Sequence, residues 1–152
     1  MSRVAEFRWL LLRDVDRVMA EVRAYPDDES LWRMAGRIPN SGGTLALHLA
    51  GNLQHFVGAI LGGSGYRRDR EREFAARDLD RAALLGELAA AREAIDTALG
   101  AMTDADLDAE WTGGGPLPDG SPNALMLLHL SGHLGYHLGQ LDYHRRLLAA
   151  EG

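Results

Sequence analysis

Leu128–Tyr143 reads LHLSGHLGYHLGQLDY, and three of the chain's six histidines stand in it four residues apart: His129, His133 and His137. On an α-helix that spacing stacks side chains on one face, about 5–6 Å apart at Cβ, close enough for two neighbours to share one ion. Leu130, Leu134, Leu138 and Leu141 form a second stripe, roughly 100° round the helix from the first. An apolar seam beside a histidine seam suits a bundle helix that faces a core and a cavity at once. Ser121 and Pro122 read as N-cap and first-turn proline, and no proline follows them. The helix is expected over residues 122–149.

Upstream, TLALHLAGNLQHFVGAIL (44–61) predicts a helix with Leu45, Leu49, Leu53, Phe56 and Ile60 as its packing stripe. His48, Asn52 and His55 recur at the same steps on an adjacent face. Gly51 and Gly58 each lower helix propensity by about 1 kcal/mol relative to alanine, tolerable where a neighbouring helix approaches closely. Residues 80–102 predict another helix, with Leu84, Leu88, Ala91, Ile95, Ala98 and Met102 inward. At the other end, Val4, Phe7, Leu11, Val15, Val18 and Val22 mark a helix from Ser2 to about Ala24. It stops at Tyr25-Pro26-Asp27-Asp28, with a short helical turn expected around Glu29–Met34 and Trp32 as its anchor. Ser41 or Thr44 can cap the helix that follows.

Two other connections carry content. Tyr66–Phe74, YRRDREREF, reads as a solvated loop or short helix; alternatively Arg67, Arg68, Arg70 and Arg72 reach over a site mouth to a ligand carboxylate or phosphate. Residues 103–120 include TGGGPLPDG and Trp111 and show no evident secondary structure. Such a length is often a lid or binding loop, with Trp111 as packing anchor or pocket wall. Four long helices and two long crossings predict an all-α protein: a single four-helix-bundle domain over 1–152 with long crossover connections.

Composition excludes several classes. Sixteen basic against twenty-two acidic side chains give a net charge of −6, which argues against a general nucleic-acid or anionic-membrane binder. The absence of cysteine removes disulfide, zinc-finger and catalytic-thiol readings together and fits a reducing, cytoplasmic setting. Charges at Arg3, Glu6, Arg8 and Arg13 interrupt any signal-peptide core, and no stretch approaches eighteen apolar residues.

The histidines then hold the chemistry. His48 with His133 and His137 converge if their two helices pack with those faces together. Three imidazoles leave a divalent ion one or more open positions, the arrangement of a catalytic site. No acidic residue falls on either histidine face, so zinc or nickel is favoured over a di-iron centre. Competing sets use His129 with His133, or His55 in place of His48. His129 and His55 otherwise line the pocket, and Asn52 or Gln140 can orient an imidazole. His144 reads as an ordinarily hydrogen-bonded helix residue.

The string HLSGHLGYHLGQ (129–140), with LHLAGNLQHFVGAILGG (47–63), resembles the DinB-like or YfiT-like superfamily of small four-helix metalloproteins. The resemblance follows the order of elements along nearly the whole chain, and its specific part is about thirty residues. It implies that His48, His133 and His137 carry the metal-ligand roles. It departs at Leu138, where many relatives have arginine (HRGQ), so no anion contact is carried over to that position. The superfamily is similar in fold to bacillithiol and mycothiol S-transferases, which activate a low-molecular-weight thiol on the metal. The resemblance thus implies an intracellular enzyme holding one divalent ion per chain, conjugating a thiol co-substrate to an electrophilic small molecule. A hydrolase using water activated at the same ion is the variant. The alternative class is a helical-bundle binding or stress protein whose metal is structural. A homodimer is expected, because apolar residues exceed one stripe on the first and last helices.

Overall fold

The structure, a computed structural model, describes residues 1–148. Its long helices are α1 (Arg3–Ala24), α2 (Gly42–Leu53), α4 (Arg81–Ala101) and α6 (Asn123–Leu147); α3 (Arg70–Ala75) and α5 (Asp104–Asp108) are short. α1 packs on α4 and α6, and α2 packs on the same two. α1 and α2 therefore face each other across the bundle, as do α4 and α6. The segments 25–41 and 102–122 make these diagonal crossings, which explains why both are long. The fold is an all-α four-helix bundle with long crossover connections. Among the described residues the β-structure is one isolated bridge, Glu110 with Pro122. The expected extension of the last helix to Ala149 lies outside the described residues.

The predicted stripes form the core. Leu11, Val15, Val18 and Val22 of α1 meet Leu84, Leu88, Ile95 and Leu99 of α4, with Leu130, Leu134 and Leu141 of α6 closing the ring. Ser41 caps α2 as the sequence suggests, accepting from Thr44 N–H, and Ser2 and Asp80 do the same for α1 and α4, accepting from Ala5 and Ala83 N–H. α6 departs from expectation. Pro122 takes the N-cap position, and Ser121 Oγ donates instead to Pro118 O at 2.7 Å. The 103–120 connection is not structureless either, since Thr103 and Asp106 form a capping box that starts α5. Asp104 then accepts from Arg3 and Val4 N–H, tying that crossover to the start of α1.

The largest correction concerns the end of α2. Gln54–Leu61 continues the helix with π geometry, seen in the i→i+5 bond from Gly62 N to Val57 O at 2.9 Å. The wider turn rotates later residues off the expected face. Ile60, expected in the stripe, is exposed, and Val57 is fully buried in its place. A Cβ at Gly58 or Gly62 would come within 3.0 or 2.7 Å of Ala94 or Ala98, so small residues on both sides let this segment lie close to α4. The first crossover is pinned by Trp32, whose Nε1 donates to Leu79 O at 2.9 Å, and by the buried Tyr25, whose hydroxyl lies 2.7 Å from His144 Nδ1.

Candidate metal centre

α2 and α6 bring His48, His133 and His137 together, with one ring nitrogen from each lying within 4.8 Å of the others. His133 Nε2 is 3.1 Å from both His48 Nε2 and His137 Nε2. The rings stand nearly perpendicular to one another, at 76°, 87° and 88°, so their edges meet at one point.

Hydrogen bonds on the outer edges decide what that point can hold. His48 Nδ1 lies 3.1 Å from Glu73 Oε1, and His137 Nδ1 lies 2.6 Å from Gln140 Oε1. Carboxylate and amide oxygens accept only, so each Nδ1 carries its ring's proton and each Nε2 presents a bare lone pair. Arg68 Nη2 also approaches His48 Nδ1, at 3.3 Å, but it is engaged at 2.8 Å with Glu73. His133 Nδ1 is buried without a partner. Burial first, then the neighbouring His137 and His48, push the His133 pKa down to about 4; burial likewise lowers that of His137. A neutral His133 with its proton on Nε2 can donate that one hydrogen toward the inward lone pairs of His48 and His137, whereas a cation at the same point would take a lone pair from all three rings. Ligand nitrogens about 2.0–2.1 Å from an ion are roughly 3.0 Å apart in octahedral and 3.4 Å in tetrahedral coordination. The observed 3.1 Å fits a divalent ion of either kind.

The other candidates divide. His129 is exposed, its ring stacked 6.2 Å from that of His133. Asn52 is buried one turn beyond His48, with Oδ1 unpaired, and His55 is half-buried with Nδ1 unpaired. Burial, then Arg68, lowers the His55 pKa. Trp111 packs on Phe56, with ring centroids 6.0 Å apart, and donates to Gly114 O; these contacts anchor its own loop. Of the arginines, Arg68 turns inward to Glu73, Arg72 pairs with Glu87, Arg70 lies over Phe74, and Arg67 is exposed. A cleft of ≈ 380 Å³ lies about one helical turn from the cluster, and none of the three histidines lines it. Leu45, three residues before His48, and Gln140, three after His137, are among its walls.

Sequence reasoning missed Glu73. It lies on neither histidine-bearing helix, and the surrounding charges make it read as solvated. The signal available was Gly51, a poor helix former one turn from His48.

A four-helix bundle with three inward imidazoles between its second and last long helices defines a class: helical bundles able to hold one metal ion. The chain belongs to the DinB superfamily, whose family model matches residues 10–141. No curated protein and no solved structure was found to match it.

Proposed function

We propose that this protein is a divalent-metal-dependent enzyme joining a low-molecular-weight thiol to an electrophilic small molecule. The observation that carries the reading is the imidazole trio with its lone pairs turned inward, in a chain that has no cysteine to serve as its own sulfur nucleophile. Zinc or nickel bound there would act as a Lewis acid and make a thiol or water a competent nucleophile near neutral pH.

The chain's own residues supply position and exclusion. His48, His133 and His137 approach from the α2 and α6 walls, and half-exposed His137 marks the side open to a ligand. The neighbouring cleft falls within the size range of small-molecule sites, about 300–1,000 Å³. Its walls include Ile38, Leu45 and Tyr143, against which we place the apolar body of the electrophile. Arg67 and Arg70 are exposed, Arg70 over the Phe74 ring that packs on His48, and we assign them to a carboxylate of thiol or substrate. A reducing cytoplasm, where such thiols stay reduced, is the matching compartment. No helix among the described residues is long and apolar enough to cross a membrane.

A homodimer belongs to the same proposal. Leu125, Leu128, Tyr136, Tyr143 and Leu147 are exposed on α6, and with Gly132 and Gly139 they recur at steps of three and four. At roughly 100° per residue, the histidine seam runs between this stripe and the buried leucines. A second copy seated on the stripe would therefore border the open side of the site.

The test is conjugation of 1-chloro-2,4-dinitrobenzene by protein loaded with zinc or nickel, with and without a cysteine-based thiol. Turnover should need both metal and thiol and rise with pH until the thiol is deprotonated. Replacing Arg67 and Arg70 singly should raise KM in at least one case, while Arg68 and Arg72, paired with Glu73 and Glu87, are not expected to contact the ligand. Activity on ester substrates that is indifferent to thiols would assign the site to hydrolysis. Activity that survives metal removal would overturn the metal-enzyme reading.

A further inference from the structure

The run Tyr66–Phe74 supplies what the histidine faces lack. Asp69 caps α3 by accepting from Arg72 N–H at 2.9 Å, and the helix turns Glu73 inward until it is 3% exposed. Glu73 Oε1 accepts from Arg68 Nη2 at 2.8 Å and from His48 Nδ1 at 3.1 Å; Oε2 accepts from Arg68 Nε at 2.8 Å. An unpaired carboxylate at that depth would be strongly destabilising, and the two-pronged guanidinium contact compensates it.

The helix opposite is cut to fit. A Cβ at Gly51 would lie 2.1 Å from Glu73 Oε2 and 2.6 Å from its Cδ, so the carboxylate occupies the space that any other residue at position 51 would fill. Phe74 lies against the His48 ring, with centroids 4.9 Å apart. Two successive α3 residues thus hold one imidazole by its edge and by its face. Nδ1 and Nε2 are on opposite edges of that ring, so Glu73 cannot ligate an ion held at Nε2.

We infer that Glu73, compensated by Arg68 and admitted by Gly51, is a positioning residue that fixes the tautomer and orientation of His48 for metal binding. The inference rests on the reading of the three histidines as ligands. It makes α3, which contributes no ligand, a determinant of metal affinity. A carboxylate behind a ligating imidazole both orients it and raises its basicity, and loss of such a partner typically weakens binding 10- to 100-fold.

The experiment is titration of the full chain with cobalt(II), following visible absorption and calorimetric affinity, with circular dichroism to verify folding. Glu73→Gln should weaken binding about 10- to 100-fold and alter the cobalt spectrum. Gly51→Ala should do the same by displacing the carboxylate without removing a polar group. The double variant Arg68→Met/Glu73→Leu replaces the pair with apolar residues, which avoids an uncompensated buried charge, and should show the same loss. Wild-type affinity and spectrum in any of these variants that folds overturns the inference and leaves the ligand reading standing. A wild-type chain that binds no cobalt(II) overturns both.

Discussion

Replacing His137 by alanine separates the ligand reading from ordinary stability. The ring is half-exposed, and its outer edge bonds only the exposed Gln140. Without metal, the substitution removes the exposed bond to Gln140 and the 3.1 Å contact with His133 Nε2, both made by a half-exposed ring. Surface changes of that kind stay within about 0.5 kcal/mol, or roughly 1–2 °C for a chain of this size. With metal the balance differs. At a free concentration of 100 Kd, binding adds about 2.7 kcal/mol, which at about 2–4 °C per kcal/mol raises the wild-type melting temperature by roughly 5–11 °C. A hundredfold loss of affinity brings the same concentration down to Kd, where binding adds only about 0.4 kcal/mol. Thermal melts of chelator-treated and zinc-loaded protein should therefore show nearly equal metal-free temperatures for wild type and His137→Ala, and a zinc shift that is nearly lost in His137→Ala. His48→Ala and His133→Ala should also lose the shift, while His129→Ala should keep most of it and His144→Ala nearly all. Elemental analysis gives the same answer as occupancy. Full metal content and an undiminished zinc shift in His137→Ala would refute the ligand set, and so would collapse of that variant without metal.

Two further outcomes rest on observations away from the cluster. Burial holds the His144 pKa below its ordinary value, despite the bond to Arg33 O. As pH falls, the unfolded chain takes the proton first, so this contribution is complete above about 6.5 and is lost as pH falls toward the folded pKa. Urea midpoints of metal-free wild type should drop between pH 7.5 and 5.5 by more than those of His144→Gln; equal drops would contradict it. On α6, light scattering at micromolar concentration should give twice the 16.6 kDa chain mass, and Leu128→Glu should give a monomer. A monomeric wild type would end the dimer proposal.

The fold was legible because its information is periodic. The stripes of α1, α4 and α6 keep step with an α-helix for their whole length, so steps of three and four identify the core. The reading failed where the period itself changed. Ile60 belongs to the stripe only if α2 stays α-helical through Leu61, and nothing in QHFVGAIL marks the change to π geometry. Ser121 and Thr103 show a related limit. A capping residue is a local preference, and tertiary context decided which of the two captured a helix start. Ser121 turned back to Pro118, while Thr103 found Asp106 at the right distance.

The site divides along the same line. His129, His133 and His137 share a face because one helix fixes their relation, so spacing offered the His133–His137 pair and the competing His129–His133 pair alike. His48 needed a second helix, and its place beside them depended on the resemblance. Glu73 needed a third element whose own sequence points to solvent. In RRDREREF every charge resembles its neighbours, and only the room left by an absent side chain separates Glu73 from Glu71. That room is at Gly51, in another helix and twenty-two residues earlier. Support for a ligand from behind is encoded as a pair, an acidic side chain and a missing one. Neither member is informative until the fold sets them face to face, and this is why the residue behind His48 was harder to read than His48 itself.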